Sequence, residues 1–208
     1  MNSITEKESD IIEQSAELFL RYGVKSITMD DLSRHLAISK KTLYQFFTDK
    51  TDLVNKTIRH IIKSRSCEIS KICDLKLNAI EELFKVYQHA NELIRNHNPM
   101  LEFDLQRFYP AIYRDTKESR RKAIYEATLS NLIKGKTEGY YRADLNEVVI
   151  TKIHLLRIEN LTHSDFLTIE EIHSNDFLNE VFKYHLYGIV SSKGIKYIKN
   201  HYPEFIHP

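Results

Sequence analysis

The chain has 208 residues, which is enough for one or two modest domains with a buried core. It contains only five glycines and four prolines, so turn-making residues are scarce. This scarcity favours long helices joined by short connections and argues against an all-β sandwich. It also excludes collagen-like and low-complexity chains. No apolar run approaches the ~18 residues of a membrane-spanning helix, and the polar N-terminus shows neither a signal nor a transit peptide. Two cysteines without partners at metal-binding spacing, Cys67 and Cys73, indicate ordinary thiols in the cytoplasm.

The charges are unevenly distributed along a chain that is almost neutral. The whole sequence has 30 Lys and Arg against 29 Asp and Glu, a net charge of +1. Between Leu32 and Cys67, however, eight basic residues face two acidic ones, which gives +6 there and about −5 elsewhere. The stretch from Leu32 to Thr48 has no carboxylate at all. This pattern is typical of a DNA-binding domain attached to a neutral or acidic body, and a merely solvated helix face is the alternative.

The N-terminal third predicts three helices followed by the start of a fourth. The first spans Glu8 to Tyr22 and ends at a glycine, Gly23, that can adopt the left-handed conformation. A capping box opens the second at Thr28, and Ser39 caps a short third helix. The fourth begins near residue 50. Two short helices joined by a tight turn form a helix-turn-helix pattern.

Longer periodic segments follow, and together they predict an all-α fold. A helix-turn-helix domain is expected at residues 1–50, with a helix at about 50–72 that links it to a second helical domain at 51–208. The predicted segments of that second domain are Asp74 to Asn96, Pro99 to Tyr109, Pro110 to about Glu138, Val148 to Leu161, Phe177 to Tyr187 and Ser192 to His201.

The third helix carries the residue types that read DNA. With Leu43 and Phe47 directed inward, its outer face is polar. Lysine can reach phosphates or guanine edges, glutamine can pair with adenine, and threonine can contact the thymine methyl group. We therefore expect DNA contacts from Lys40, Lys41, Thr42 and Gln45.

Further DNA-contact candidates lie at helix ends and in the adjoining turns. Thr28 and Lys50 stand at helix N-termini, which favour phosphate. Ser39, Arg34 and Lys25 are additional candidates. Helix capping or simple solvation is the alternative role for each of them.

The segment T-M-D-D-L-S-R-H-L-A-I-S-K-K-T-L-Y-Q-F-F-T-D-K, residues 28–50, resembles the TetR family of bacterial transcriptional regulators. The resemblance implies a homodimer in which each subunit has an N-terminal DNA-binding domain and a larger, antiparallel helical domain that binds an effector and dimerises through its last helices. It also implies that Tyr44 contacts the DNA backbone. Phe46 departs from the pattern, because that position is often a histidine or another polar residue. Its expected role is either packing on the domain surface or contact with a thymine methyl group.

Aromatic residues of the second domain are candidates for an effector pocket, although such residues at helical spacing also form ordinary cores. We expect Tyr87, Phe103 and Tyr113 to line a cavity for a hydrophobic or aromatic effector, with Arg107 or His89 as the polar group. Two apolar helices are expected to form the dimer interface. Its predicted residues are Val149, Ile153, Leu156, Phe177, Val181 and Tyr184.

Motifs for catalysis are missing from the sequence. It has no H-E-x-x-H, no C-x-x-C and no G-x-S-x-G, and five scattered glycines cannot form a phosphate-binding loop. We therefore expect no enzyme activity, no cofactor and no metal site. The prediction is a sequence-specific regulator that represses from a palindromic operator and is released by a small-molecule effector. The alternative is an interaction protein of the same fold that acts through a protein partner or by sequestering a ligand.

Overall fold

The computed structural model describes residues 2–96, 98–161 and 166–205, and it confirms the all-α prediction. Within these ranges the chain forms helices and no strand, apart from one isolated antiparallel bridge between Tyr141 and Val190. A short 3-10 turn, Pro203–Phe205, follows the last helix. The helices are α1 (Asn2–Tyr22), α2 (Met29–His35), α3 (Lys40–Phe46), α4 (Lys50–Asp74), α5 (Ala79–Arg95), α6 (Pro99–Phe108), α7 (Pro110–Thr137), α8 (Glu147–Leu161), α9 (Ile169–His173), α10 (Asn175–Ile189) and α11 (Ser192–His201).

The helix boundaries follow local capping chemistry. Thr28 caps α2, and its side chain accepts a hydrogen bond from the Asp31 amide while the Asp31 carboxylate accepts one from the Thr28 amide. Asn78 forms the same type of box at α5. Because this cap opens a new helix, the predicted segment from Asp74 divides into the end of α4 and a separate α5. The first helix begins at Asn2, earlier than the predicted start at Glu8.

Gly23 ends α1 because its backbone has a φ of +77°, which L side chains rarely adopt. The space beside it is also restricted, since a Cβ atom there would lie 2.7 Å from the Asp104 carboxylate. The sequence signal at Gly23 is thus explained by both the backbone conformation and the close approach of α6.

The chain divides into two compact units, and each has its own core. Unit 1 comprises residues 1–67 and 97–120, so α6 and the first part of α7 belong with the helix-turn-helix. Its core consists of buried apolar side chains, mostly from the segment of α1 to α4, and its largest members are at most 1% exposed. The largest are Phe19, Leu32, Leu43, Phe47 and Leu53.

Unit 2 comprises residues 68–96 and 121–208. Aromatic rings fill much of its core: Phe84 stacks on Tyr202 with centroids 3.9 Å apart, and Tyr87 stacks on Phe182 at 3.8 Å. The ring of Tyr141 occupies the space beside Gly135, where any Cβ atom would collide with it. This contact explains why a glycine stands within α7.

A hydrogen-bonded network lies inside unit 2. The Tyr141 hydroxyl donates to Asn131 Oδ1 at 2.8 Å and also lies 3.0 Å from the Ala79 carbonyl. Asn131 donates to Glu82 at 2.8 Å, and the ammonium of Lys134 neutralises that carboxylate at 2.6 Å. Buried polar groups are tolerated when they are paired in this way. The network therefore ties α5, α7 and the Tyr141 segment together.

Across the three described ranges, no helix has the length and apolar character needed to cross a membrane.

Candidate nucleic-acid interface

The turn between α2 and α3 fixes the outward face of α3. Ala37 occupies the left-handed region with a φ of 51°, and the Ile38 amide donates to the Ser33 carbonyl at 3.0 Å. The Ser39 hydroxyl then caps α3 by accepting from the Thr42 amide, also at 3.0 Å. A non-glycine residue in this conformation costs about 1–3 kcal/mol, which the packing of the two helices must offset.

The inward side of α3 is buried as predicted, since Leu43 and Phe47 are almost inaccessible. On the opposite side, Lys41, Tyr44 and Gln45 are all exposed. Their positions on the helix place these three side chains on one face. Neither Lys41 nor Gln45 has a hydrogen-bond partner among the described residues. The structure thus brings a cation, a phenol and an amide together on one solvent-facing surface.

The remaining α3 candidates already have intramolecular partners. Lys40 is exposed and forms an ion pair with Asp30 at 2.9 Å, and this hydrogen bond raises the pKa of the lysine. The Thr42 hydroxyl is 2.7 Å from the Ser39 hydroxyl, so both take part in the cap. An exposed ion pair contributes little free energy, so Lys40 can exchange Asp30 for a phosphate.

The candidates outside α3 lie in three different environments. Thr28 is held by its capping box, where hydrogen bonds from Thr28 lower the pKa of Asp31. Arg34 is exposed and pairs with Asp31 at 2.9 Å. Lys25 places its ammonium over the ring of Phe108, 4.6 Å from the centroid.

Lys50 differs from the other candidates, because it is half-buried and its ammonium donates to the Val24 carbonyl at 2.7 Å. Desolvation lowers the pKa of this lysine, and the nearby carboxylates of Asp104 and Asp31 partly offset that effect. Because the ammonium has three N–H donors, a phosphate contact by Lys50 is compatible with its bond to Val24. The role of Lys50 at DNA stays a prediction.

Phe46 packs against the core of unit 1, with its ring centroid 6.4 Å from that of Phe47. Its carbonyl also accepts a hydrogen bond from Lys56 at 3.2 Å. The sequence predicted either packing on the domain surface or contact with a thymine methyl group for Phe46. The structure supports packing.

The segment with a charge of +6 is less basic in three dimensions than along the chain. Acidic residues before position 32 reach back to it: Asp31 pairs with Arg34, Asp30 with Lys40, and Glu8 with Lys56. Sequence reasoning missed these pairs because their acids lie outside the segment that was counted. Among the residues that the structure describes, Lys41 of α3 has no such acidic partner.

Contacts from α6 to the turn that precedes α2 were also missed. The buried carboxylate of Asp104 accepts a hydrogen bond from the Lys25 amide at 2.7 Å. The Asn98 side chain donates to the Arg21 carbonyl at 2.8 Å. Because 77 to 79 residues separate these partners, no local spacing in the sequence indicates them.

The four predicted effector residues do not lie in a single unit. Tyr87 belongs to unit 2, where its hydroxyl donates to Asn179 at 2.6 Å and burial raises its pKa. In unit 1, exposed Phe103 and Arg107 border an open groove of about 380 Å³ on α6, and half-buried Tyr113 donates to Glu102 at 3.3 Å. His89, the alternative polar group, has a buried Nε2 that no described atom bonds.

The predicted dimer residues lie on two helices of unit 2, where four of them are exposed and Phe177 and Val181 are half-buried. Val149, Ile153 and Leu156 lie on α8, and Phe177, Val181 and Tyr184 lie on α10. The two helices are joined by a hydrogen bond from Arg157 to the Val181 carbonyl and by a ring contact between His154 and His185. Outside the masked positions, no group of three or more potential metal ligands occurs.

Comparison with known proteins places this geometry among regulators. Residues 11–57 match the family model described as bacterial regulatory proteins, tetR family. The HTH-type transcriptional repressor KstR2 of Mycobacterium tuberculosis is 23% identical over 146 residues, which cover 69% of this chain and 73% of that protein.

Solved structures extend the similarity over most of the chain. A transcriptional regulator from Cytophaga hutchinsonii matches with a TM-score of 0.73 at 17% identity, covering 89% of this chain and 99% of the other. The M. tuberculosis ketosteroid transcriptional regulator KstR2 matches with a TM-score of 0.55 at 18% identity, covering 92% and 97%. At these identities the structures support the shared fold.

Proposed function

We propose that this chain is a member of the TetR family of bacterial transcriptional regulators and a homodimeric repressor that a small molecule releases from a palindromic operator. The observation that carries this proposal is the exposed face of α3, where Lys41, Tyr44 and Gln45 project from a helix with a buried, rigid back. A helix of this kind fits the major groove. The proposal is for a binding protein of the cytoplasm without catalytic activity.

The three side chains have different proposed roles. Gln45 reads a base edge, since its amide can donate and accept at once and pair with adenine. Lys41 and Tyr44 contact the phosphate backbone and set the register of the helix. The additional proposed DNA contacts of unit 1 are Lys25, Thr28, Arg34, Ser39, Lys40, Thr42 and Lys50.

Two copies are needed for operator specificity. A two-fold dimer places two recognition helices about 34 Å apart, in successive major grooves, which makes the operator palindromic. We propose that an apolar or aromatic effector favours a conformation in which this spacing no longer matches DNA.

The contacts of α6 support a route for this release within unit 1. Phe103 and Arg107, two of the proposed effector residues, lie on α6, and so does Asp104, which holds the Lys25 amide. A shift of α6 on effector binding would therefore change the support of the turn that leads into α2. Tyr87 and Tyr113 remain proposed effector residues on α5 and α7.

Fluorescence anisotropy with a labelled duplex taken from the DNA upstream of the protein's own gene tests the proposal. Gln45→Ala should reduce discrimination at one base pair by about 1–3 kcal/mol, because one direct base contact is lost. Lys41→Ala should weaken binding to all sequences alike and lower the log-log salt slope by about 0.9, which corresponds to one phosphate.

The matched control is Lys63→Ala, which removes the same charge from an exposed position on α4. It should leave discrimination unchanged. Identical effects of Gln45→Ala and Lys41→Ala would contradict the role assignment. A wild-type salt slope near zero, or no preference over random duplex, would refute the DNA-binding proposal.

A further inference from the structure

The inner face of α4 changes from apolar to charged at Arg65. Val54, Ile58 and Ile61 are buried in the core of unit 1, at the spacing of one helix face. Arg65 lies one turn after Ile61 on the same face, and it is half-buried. An arginine therefore occupies a position where the preceding turns carry apolar residues. Its charge has lost part of its hydration, which is unfavourable unless another group replaces the water.

A second arginine lies near Arg65, on α7. Ile112 and Tyr113 of α7 pack against the core of unit 1, and half-buried Arg120 lies two turns after Tyr113 on the same side of the helix. Both arginines belong to unit 1. Burial and then the charge of Arg120 lower the pKa of the Arg65 guanidinium. Two neighbouring cations that are both partly desolvated repel each other, so this site favours an anion.

Among the residues that the structure describes, no acid neutralises these two arginines. Neither guanidinium has a hydrogen bond or an ion pair with a described residue. Glu68, three residues after Arg65, pairs with Lys71 at 2.6 Å. By contrast, the next residue on α7, Arg121, donates to the carboxylate of Glu159 at 2.7 Å. The described chain thus places two positive charges together without a counter-charge.

We propose that Arg65 and Arg120 bind the acidic group, a carboxylate or a phosphate, of the small molecule that releases the protein from DNA. A guanidinium presents parallel N–H donors that match two oxygens of either anion. An anion held by both arginines would supply the missing counter-charge to each of them. The inference rests on the effector-controlled repressor of the proposed function, and it adds the charge that the apolar or aromatic effector carries.

A small molecule suits this pair better than the phosphates of DNA do. Arg65 lies about 22 Å along the helix axis from Lys50, where α4 begins, at 1.5 Å per residue. Half-burial of both arginines also restricts the approach of a rigid duplex, whereas the acidic end of a small molecule can enter between two helices.

Isothermal titration calorimetry of the full chain with octanoate and with inorganic phosphate measures the proposed contact. Arg65→Gln and Arg120→Gln should each raise the dissociation constant of the anion about 10-fold or more, because each variant loses one charge-assisted contact. The matched control Arg114→Gln removes the same charge from α7 at a side chain that is 79% exposed. It should leave the dissociation constant unchanged.

The two probes identify the acidic group. Tighter binding of octanoate than of phosphate and of uncharged octanol indicates a carboxylate on an apolar body. Tighter binding of phosphate indicates a phosphorylated molecule. Either result supports the inference when both arginine variants weaken the binding.

Urea unfolding without added anion tests whether the two charges meet. Arg120→Gln should change the free energy of unfolding more favourably in wild type than in the Arg65→Gln background, because only wild type holds the second cation that repels Arg120. Lost packing of the Arg120 side chain is the same in both backgrounds and cancels in this comparison. An identical effect of Arg120→Gln in the two backgrounds would overturn the inference.

The outcomes separate this inference from the proposed function. A wild type that binds neither octanoate nor phosphate, or binds them as both arginine variants do, would refute the inference and leave an operator-binding repressor intact. A wild type without preference for its upstream duplex would refute the proposed function, and the calorimetry would still show whether the arginines bind an anion. An equal loss of affinity for every duplex in Arg65→Gln, with a lower salt slope, would assign the pair to DNA phosphates and overturn the inference.

Discussion

Acidification should destabilise unit 2 through two neighbouring histidines, of which His185 is buried and His154 half-buried. His154 and His185 lie with ring centroids 4.4 Å apart between α8 and α10. Burial, reinforced by the adjacent Arg157, lowers the pKa of His154 to about 3. Burial and then the charges of His154 and Arg157 hold the pKa of His185 well below its ordinary value. Both rings are therefore neutral in the folded protein at neutral pH, and Nδ1 of His154 accepts from Arg157.

The direction in which stability changes with pH follows from the difference between the folded and unfolded pKa values of histidine. The unfolded histidine titrates near 6.5, so between pH 6.5 and about 3 the unfolded chain binds a proton that the folded chain does not. The free energy of unfolding therefore falls as the pH falls through this window. At pH 5, 1.5 units below the unfolded value, His154 alone accounts for a loss of about 2 kcal/mol. His185 contributes in the same direction.

Urea unfolding followed by far-UV circular dichroism, at pH 7 and pH 5 and at one fixed protomer concentration, measures this loss. His154→Gln retains an acceptor for Arg157 without a titrating ring. Its free energy of unfolding should therefore fall by about 2 kcal/mol less between pH 7 and pH 5 than that of the wild type. The same substitution at exposed His35 is the control. An equal decrease in the free energy of unfolding between pH 7 and pH 5 in wild type and His154→Gln would refute the reasoning.

Two further substitutions test the buried polar contacts. Tyr141→Phe should lower the free energy of unfolding, measured in urea, by about 1–2 kcal/mol, because Asn131 Oδ1 loses its buried donor without a change in packing. An unchanged free energy would show that the network contributes no net stability. Asp104→Ala should lower the free energy of unfolding of unit 1 by about 1.5–3 kcal/mol and speed hydrogen exchange at the Lys25 amide. Asp104→Asn keeps an acceptor for this amide and should retain most of its protection from exchange. Exchange at that amide that is equally slow in Asp104→Ala and wild type would contradict the proposed support of this turn by α6.

Most of the local structure could be predicted from the sequence, because the signals act over a few residues. The capping box of Thr28 and Asp31, the Ser39 cap and the stop at Gly23 each involve partners within one helical turn. The spacing of Leu43 and Phe47 alone also identified the buried side of α3. These features determined the all-α fold and the helix-turn-helix, since capping and amphipathic periodicity depend on neighbouring residues.

Only the tertiary structure decided which predicted basic side chains are engaged within the protein. Lys50 donates to a carbonyl 26 residues away, and Lys40 pairs with an acid on the preceding helix. It also revealed Asp104 beside the turn after α1 and a buried Nε of Arg157 that no described acceptor bonds. Such contacts join distant segments, and they depend on how the helices pack. A charge count along the chain assigned +6 to the DNA-binding segment, and the fold leaves Lys41 as the α3 lysine that pairs with no described acid.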